Sequence, residues 1–232
     1  MNMFISPRPF REVSTLTASP LFQLFLIIAL CLPLTRAHAD AENSATTLAS
    51  VSDELRSGWY PQSGDASAAT NTVADSVADA SDADHLYGNR IRKLTDYIEE
   101  NFAVEEARAF SIVTHAMEHG KRRGLTPELV LAVIAVESGF QADARSSQGA
   151  QGLMQIIARY HPETISEIGG RGALMTPEKN IQAGTKILVQ YLNDSDGNLI
   201  KALGRYNGSS GKRSRAYANK VLSVYRQLKD VS

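Results

Sequence analysis

The sequence predicts an all-α domain over residues 90–232, and three observations carry that reading. Apolar residues recur at intervals of three and four, the period of one face of a helix. Residues that start and stop helices bracket those runs. No stretch alternates polar and apolar residues over the length of a strand.

Ile91, Leu94 and Ile98 form the first apolar stripe. Val104, Ala107, Phe110, Ile112, Val113 and Met117 form the second, and stops are expected near Gly120 and Gly124. Leu125-Thr126-Pro127-Glu128 opens the next helix. Thr126 can cap it, Pro127 suits a first helical position that needs no N–H, and Glu128 meets the positive end of the helix dipole. This helix is apolar nearly all round, which marks a buried central helix rather than a surface one. Gly139 is expected to end it in the left-handed conformation. Later helices are predicted over 150–158, 178–193, 198–206 and 214–229, and no internal repeat is present.

The chain before residue 90 has a different texture. The 232 residues of the full sequence allow one domain with a real core and an appendage. Arg8 and Arg11 precede the run LFQLFLIIALCLPL, and Ala37-His38-Ala39 follows it. Residues 1–39 therefore read as a signal peptide cleaved near Ala39. The apolar run is short for a membrane span and is broken by Pro33, so no stable membrane anchor is expected. The single cysteine, Cys31, follows Leu30 rather than the small residue that lipidation signals carry. The exported chain would then hold no thiol, disulfide or thiolate metal site, and its stability must come from packing. The expected location is the periplasm or the cell exterior.

Residues 40–89 are rich in Ala, Ser, Thr and Asp and carry one basic residue against nine acidic ones. Such a segment buries too little apolar surface to offset its chain entropy, and it reads as a disordered acidic linker. The island LRSGWYP at 55–61, with the only tryptophan, Trp59, could dock on the folded domain or on a partner, and a chance aromatic in a linker accounts for it at least as well. Residues 90–232 carry twenty basic residues against fifteen acidic ones.

One residue of the central helix needs a separate account. Glu137 continues the apolar stripe of Val130, Val133 and Ile134. Burial disfavours its carboxylate, and so does the negative end of the helix dipole, so both raise its pKa. A carboxylic acid still protonated near neutral pH is what glycoside cleavage requires of a general acid. Pairing with a nearby arginine such as Arg145 accounts equally well for the same residues.

The stretch AVIAVESGFQADARSSQGAQGLMQ at 132–155 settles the comparison. It resembles the first two motifs of the lytic transglycosylases of soluble-lytic-transglycosylase type, which share a goose-lysozyme-like fold: a Glu-Ser pair, then Gly-Leu-Met-Gln fifteen residues on. LGRYNGSSG at 203–211 resembles the third motif, and PEKNIQAGTKILVQYL at 177–192 resembles the helix between the second and third. The resemblance covers roughly 91–229. Three motifs in family order are specific where any one alone is weak.

The resemblance implies a lysozyme-like helical domain and assigns roles by position. Glu137 would be the single catalytic acid/base, with Ser138 its usual neighbour. Ser146 would contact the substrate's N-acetyl group. Gly152, Leu153, Met154 and Gln155 would line the sugar groove. Tyr206 would hydrogen-bond the acid, and Asn207 follows it in the same motif. The chain departs from the family in IIARYHPE after the second motif and in Arg205 of the third, which bears on the shape of the distal groove.

Hydrolytic glycosidases use two carboxylates. Asp143, Glu163, Glu167 and Glu178 are available, but none falls in a motif that the family makes catalytic. The family's reaction needs one acid, because the muramoyl C6 hydroxyl closes onto C1 and no water is consumed. The implied substrate is the glycan strand of peptidoglycan, and no cofactor is implied. A hydrolytic muramidase on the same fold and a non-catalytic wall-binding or secretion-accessory protein are the alternatives. His115 and His119 stand at i and i+4 without an HExxH glutamate or an evident third ligand, so no metal site is expected. The basic clusters KRRG at 121 and KRSR at 212 lack interleaved aromatics, and nucleic acid is not an expected partner.

Overall fold

The computed structural model describes residues 73–232, with side chains from residue 85 onward. The expected signal peptide, the linker up to residue 72 and the island around Trp59 lie outside the described residues.

The first helix, α1, runs from Val73 to Phe102 and so begins ahead of residue 90. Residues 73–89, expected as disordered linker, are helical. Their composition supplies the reason. Ala74, Ala78, Ala80 and Ala83 are strong helix formers. Asp75 lies in the first turn, at the positive end of the dipole. Missing apolar periodicity signals that a segment is unburied, which is not the same as unfolded. Leu86 and Tyr87 are indeed exposed, and packing begins only at Ile91, Leu94 and Ile98.

Helix α2 (Glu106–Arg122) reverses direction against α1. Glu105 caps it, its two carboxylate oxygens accepting from the N–H groups of Ala107 and Arg108 at 3.2 and 3.1 Å. The buried face of α2 includes Ile112, Val113, Ala116 and Met117. The chain leaves it where the Leu125 N–H returns to the Gly120 carbonyl at 2.9 Å.

Helix α3 (Pro127–Ser138) follows with the caps the sequence predicts. The Thr126 hydroxyl accepts from the Leu129 N–H, Pro127 takes the first turn, and Gly139 closes the end at φ 55°. Residues 129–134 are buried without a break, so α3 is the central helix of the fold. Glu128 is also buried. Arg90 of α1 reaches it with Nε at 2.9 Å and a terminal nitrogen at 2.6 Å from the same carboxylate oxygen. Arg90→Ala would leave that carboxylate buried and unpaired. The expected loss is about 1.5–3 kcal/mol in urea unfolding, the worth of hydrogen bonds to a buried charge. A loss below about 0.5 kcal/mol would mean that solvent satisfies Glu128.

The helix expected at 150–158 is not there. In its place stand a two-stranded antiparallel hairpin, β1 (Ala150–Gln151) and β2 (Ile156–Ile157), and a short 3-10 turn at Ala158–Tyr160. Ala150 pairs with Ile157 and Gln151 with Ile156. The turn between them uses Gly152 at φ 75° and Gln155 at φ 47°, both left-handed and incompatible with a continuing helix.

Four further helices complete the described fold: α4 (Pro162–Glu167), α5 (Pro177–Asn193), α6 (Leu199–Tyr206) and α7 (Gly211–Val231). A 3-10 turn at Arg171–Met175 leads into α5. The most extensive helix contact is α3 against α7, and α7 also packs on α6. The all-α expectation therefore holds, with one small hairpin inserted where the motif Gly-Leu-Met-Gln lies. Among the described residues no helix is long and apolar enough to cross a membrane.

Candidate active site

Glu137 occupies the last turn of α3, where the helix ceases to be fully buried. Its neighbour Ser138 is buried, and its hydroxyl donates to the Ile134 carbonyl one turn back at 3.1 Å. That bond turns the serine inward and leaves the end of α3 to the acid. Across from α3 stands α7, and its Tyr217 hydroxyl donates to Glu137 Oε1 at 2.6 Å. That bond fixes one oxygen of the acid, and among the described residues no hydrogen bond holds the other.

The electrostatics follow from this packing. Burial pushes the Glu137 carboxyl up to about 7, and the Tyr217 hydrogen bond, which favours the charged form, offsets part of that rise. Tyr217 is itself held neutral, first by burial and then by the adjacent carboxylate. Among the described residues no ion pair involves Glu137, so the alternative pairing with Arg145 is not formed. What remains is an acid that changes protonation state near neutral pH.

The tyrosine that reaches the acid is not the one the motif suggests. Tyr206, expected to hydrogen-bond Glu137, instead donates to the Met154 carbonyl at 2.8 Å. It lies at the end of α6, and its ring packs edge-on against Tyr191 with centroids 6.4 Å apart. Glu137 still raises its pKa, second to burial, so the two are neighbours without sharing a hydrogen bond. The reason is placement: α7 is the helix that lies along α3, and Tyr217 is on its buried face.

The Gly-Leu-Met-Gln loop is held from beneath by one residue that the sequence reading passed over. Asn180, in the first turns of α5, is fully buried. Its Oδ1 accepts from the Met154 N–H at 2.7 Å, and its Nδ2 donates to the carbonyls of Gln151 at 2.9 Å and Leu174 at 2.8 Å. The signal was visible as an asparagine in the otherwise helical PEKNIQAG, since a buried amide must satisfy several bonds. Gly152 is required by the same contact. A Cβ there would land on the Asn180 amide and the Leu174 carbonyl.

This bracing changes the roles of two expected groove residues. Leu153 and Met154 are fully buried and belong to the core, so neither side chain lines an open groove. Met154 packs where Gly184 of α5 leaves room, and a Cβ on Gly184 would strike its sulfur. The motif acts through its backbone and its outer residue. Gln155 is half-buried, and its Nε2 donates to the carbonyls of Ala144 and Gly152 at 3.1 and 2.9 Å. The Gly152 N–H also reaches the Ala144 carbonyl at 2.9 Å, which ties this loop to the segment following Glu137.

Ser146 is exposed in that segment. Its backbone N–H bonds the Ala150 carbonyl, and its hydroxyl accepts from the Ala150 N–H, both at 3.0 Å. A hydroxyl that accepts in this way can still donate outward. Asn207 closes α6 through its backbone N–H to the Leu203 carbonyl at 3.1 Å, with its side chain exposed. Of the expected set, the structure brings Glu137, Tyr206 and the Gly152–Gln155 backbone into one region. It puts Leu153 and Met154 beneath that region and adds Tyr217 and Asn180.

Comparisons with known proteins bear on this arrangement. Residues 115–223 match the family model described as the transglycosylase SLT domain. The chain is 27% identical over 158 residues to the membrane-bound lytic murein transglycosylase C of Yersinia enterocolitica, spanning 59% of this chain and 44% of that protein. It is 28% identical over 161 residues to the protein of the same name from Pectobacterium atrosepticum, spanning 60% and 45%. Against the Yersinia pestis protein of that name it is 30% identical over 139 residues, spanning 53% and 39%. The chain thus spans less than half the length of these relatives. A solved structure of an inactive mutant of the lytic transglycosylase Slt from Pseudomonas aeruginosa aligns at 25% identity and a TM-score of 0.47 over 50% of this chain and 24% of that one.

Proposed function

Since residues 115–223 of this chain match the family model of the transglycosylase SLT domain, we propose that the protein is a peptidoglycan lytic transglycosylase. It cleaves the β-1,4 bond between N-acetylmuramic acid and N-acetylglucosamine without water. The observation that carries the reading is Glu137: a carboxyl pushed up to about 7 by burial, held by one tyrosine at the end of the central helix.

In the proposed reaction, Glu137 begins protonated. Tyr217 donates to Oε1, so the acidic proton resides on the other oxygen and is directed at the glycosidic oxygen. As that bond breaks, the N-acetyl oxygen of the muramoyl residue stabilises the cationic C1. Glu137, now a carboxylate, takes the proton of the C6 hydroxyl, whose oxygen closes onto C1. One new C–O bond replaces the one broken, and the acid is regenerated. A pKa near the working pH suits a group that must give and then take a proton. The nucleophile belongs to the substrate and gains the advantage of an intramolecular attack.

Burial is the first cause of the Glu137 shift, and among the described residues no other carboxylate contributes to it. A single acid of this kind fits ring closure better than hydrolysis, which calls on a second carboxylate. Ser138 and Tyr206 position the acid's surroundings. Ser146, Gln155, Asn207 and the Gly152 backbone are assigned to the sugar-binding face, whereas Leu153 and Met154 support it from the core. The protein is further assigned to the exported class, with cleavage near Ala39. Cell fractionation with N-terminal sequencing of the processed chain checks that assignment.

Mass spectrometry of the soluble products from purified sacculi tests the reaction. The expected muropeptides carry 1,6-anhydromuramoyl ends, one water lighter than reducing ends. Products dominated by reducing muramic acid would make the protein a muramidase, and an absence of products would leave a wall-binding role.

Tyr217→Phe removes a hydrogen bond that favours the carboxylate, so the Glu137 pKa rises further. The alkaline limb of the pH–rate profile should move to higher pH, and the rate near neutrality should fall about tenfold, the worth of about 1.5 kcal/mol. Tyr206→Phe should leave that limb in place, because its hydroxyl serves the Met154 carbonyl. An alkaline limb that moves with Tyr206 instead would reverse the two roles.

A further inference from the structure

The C-terminal half of α2 carries a second cluster of chemically capable side chains that the proposed reaction does not use. His115, Glu118 and His119 offer two imidazole nitrogens and a carboxylate oxygen that all lie within 4.8 Å of one another. His119 is only 3% exposed. Its Nε2 and the Nδ1 of His115 are buried, and neither has a hydrogen-bond partner among the described residues. A buried imidazole nitrogen without a partner has lost its water and gained nothing in return. Two on one helix face call for an occupant.

We infer that His115, Glu118 and His119 form a binding site for a divalent transition-metal ion of the zinc class. The spacing is the first support. Residues at i, i+3 and i+4 share one face of a helix, so the three ligands converge without any loop to order. Zinc takes His nitrogens at about 2.0–2.1 Å and carboxylate oxygens at about 2.0–2.2 Å. Modest side-chain rotation brings ligands 4.8 Å apart onto such an ion. The third ligand escaped the sequence reading because it stands between the two histidines, in the order H-x-x-E-H rather than HExxH.

The electrostatics agree. The carbonyl end of α2 favours a cation. Arg122 holds Glu118 through Oε1 only, at 2.6 Å, which leaves the second carboxylate oxygen for a metal. Three protein ligands leave the fourth tetrahedral position to water. An ion there would lock the last two turns of α2, which pack on α5 and so lie behind the helix that carries Asn180.

Calorimetric titration of the untagged full-length protein with zinc chloride tests the site, with cobalt chloride as a spectroscopic probe. One equivalent of Zn²⁺ is expected, and Co²⁺ should give the visible bands of low-coordinate nitrogen–oxygen ligation. His119 is buried and its replacement could disturb folding, so the decision rests on His115→Ala and Glu118→Gln. Each should weaken Zn²⁺ binding at least tenfold, while His85→Ala and His161→Ala bind as the parent does. No binding by the parent, or undiminished binding by either His115→Ala or Glu118→Gln, overturns the site. The readout is binding alone, so either result leaves the assignment of Glu137 untouched.

Discussion

Glu137→Gln should abolish glycan cleavage in a domain that folds at least as well as the parent. The amide can neither release an acidic proton to the leaving oxygen nor take one from the C6 hydroxyl. Both halves of the proposed reaction are lost together, and a fall of about 10³-fold or more in rate is expected. The stability change has the opposite sign and depends on pH. The Glu137 pKa is raised from 4.5 to about 7, so the parent's folded state is favoured below 4.5 and loses that advantage as pH rises through 7. The full difference is about 3 kcal/mol, at about 1.4 kcal/mol per unit. Glutamine is neutral throughout. At pH 8 the mutant should therefore unfold at higher urea than the parent, and at pH 4 the two should nearly coincide. Substantial cleavage by the folded mutant would remove Glu137 from the chemistry, and a stability gap independent of pH would show that its carboxyl is not strained by burial.

Asn180→Asp should be the most destabilising single change in the described domain that leaves the size of a side chain intact. The amide makes three bonds at a fully buried position: one accepted from the Met154 N–H and two donated to the carbonyls of Gln151 and Leu174. Aspartate keeps the first and turns an acceptor toward both carbonyls. Each buried group left unsatisfied costs about 1–3 kcal/mol, so a loss of about 3–5 kcal/mol is expected. That is a large share of the roughly 5–15 kcal/mol that holds a domain folded. Asn180→Ala should lose a similar amount by leaving the three groups unpaired. Urea unfolding measures both, and a loss below about 1 kcal/mol in each would mean that the hairpin is held from elsewhere. Since the amide fixes the turn at Gly152 and Met154, cleavage should fall even under conditions where the variants stay folded.

These two residues mark how far the sequence could be read. Glu137 was legible because helix geometry is local: Thr126, Pro127 and Gly139 define the ends of α3, and the apolar run shows that it is buried. The ends of α5 and α6 were legible for the same reason. The hairpin was not. Leu153, Met154, Ile156 and Ile157 form an apolar cluster that suits a helix, and the left-handed turns at Gly152 and Gln155 follow from Asn180, which lies well beyond them in the chain. The partner of the acid was misplaced for a related reason. Tyr206 and Tyr217 both follow Glu137 at long range, and only the packing of α7 on α3 decides which hydroxyl arrives. The first half of α1 was lost differently, because its helicity rests on alanine and on charge at the helix start, which apolar periodicity does not detect.

The bond between Glu137 and Tyr217 joins residues 80 apart, and this separation has a consequence in time. A chain is made from its amino end, so α3 exists well before α7 is available to cover it. During that interval the Glu137 side chain faces water and titrates as an ordinary carboxyl, ionised at neutral pH and useless as an acid. Contacts between distant parts of a chain also form late in folding, because the intervening loop must close first. The proposed cutting activity therefore switches on only when the long-range closure is complete. On the proposed function, a chain in transit stays inactive until α7 has closed on α3.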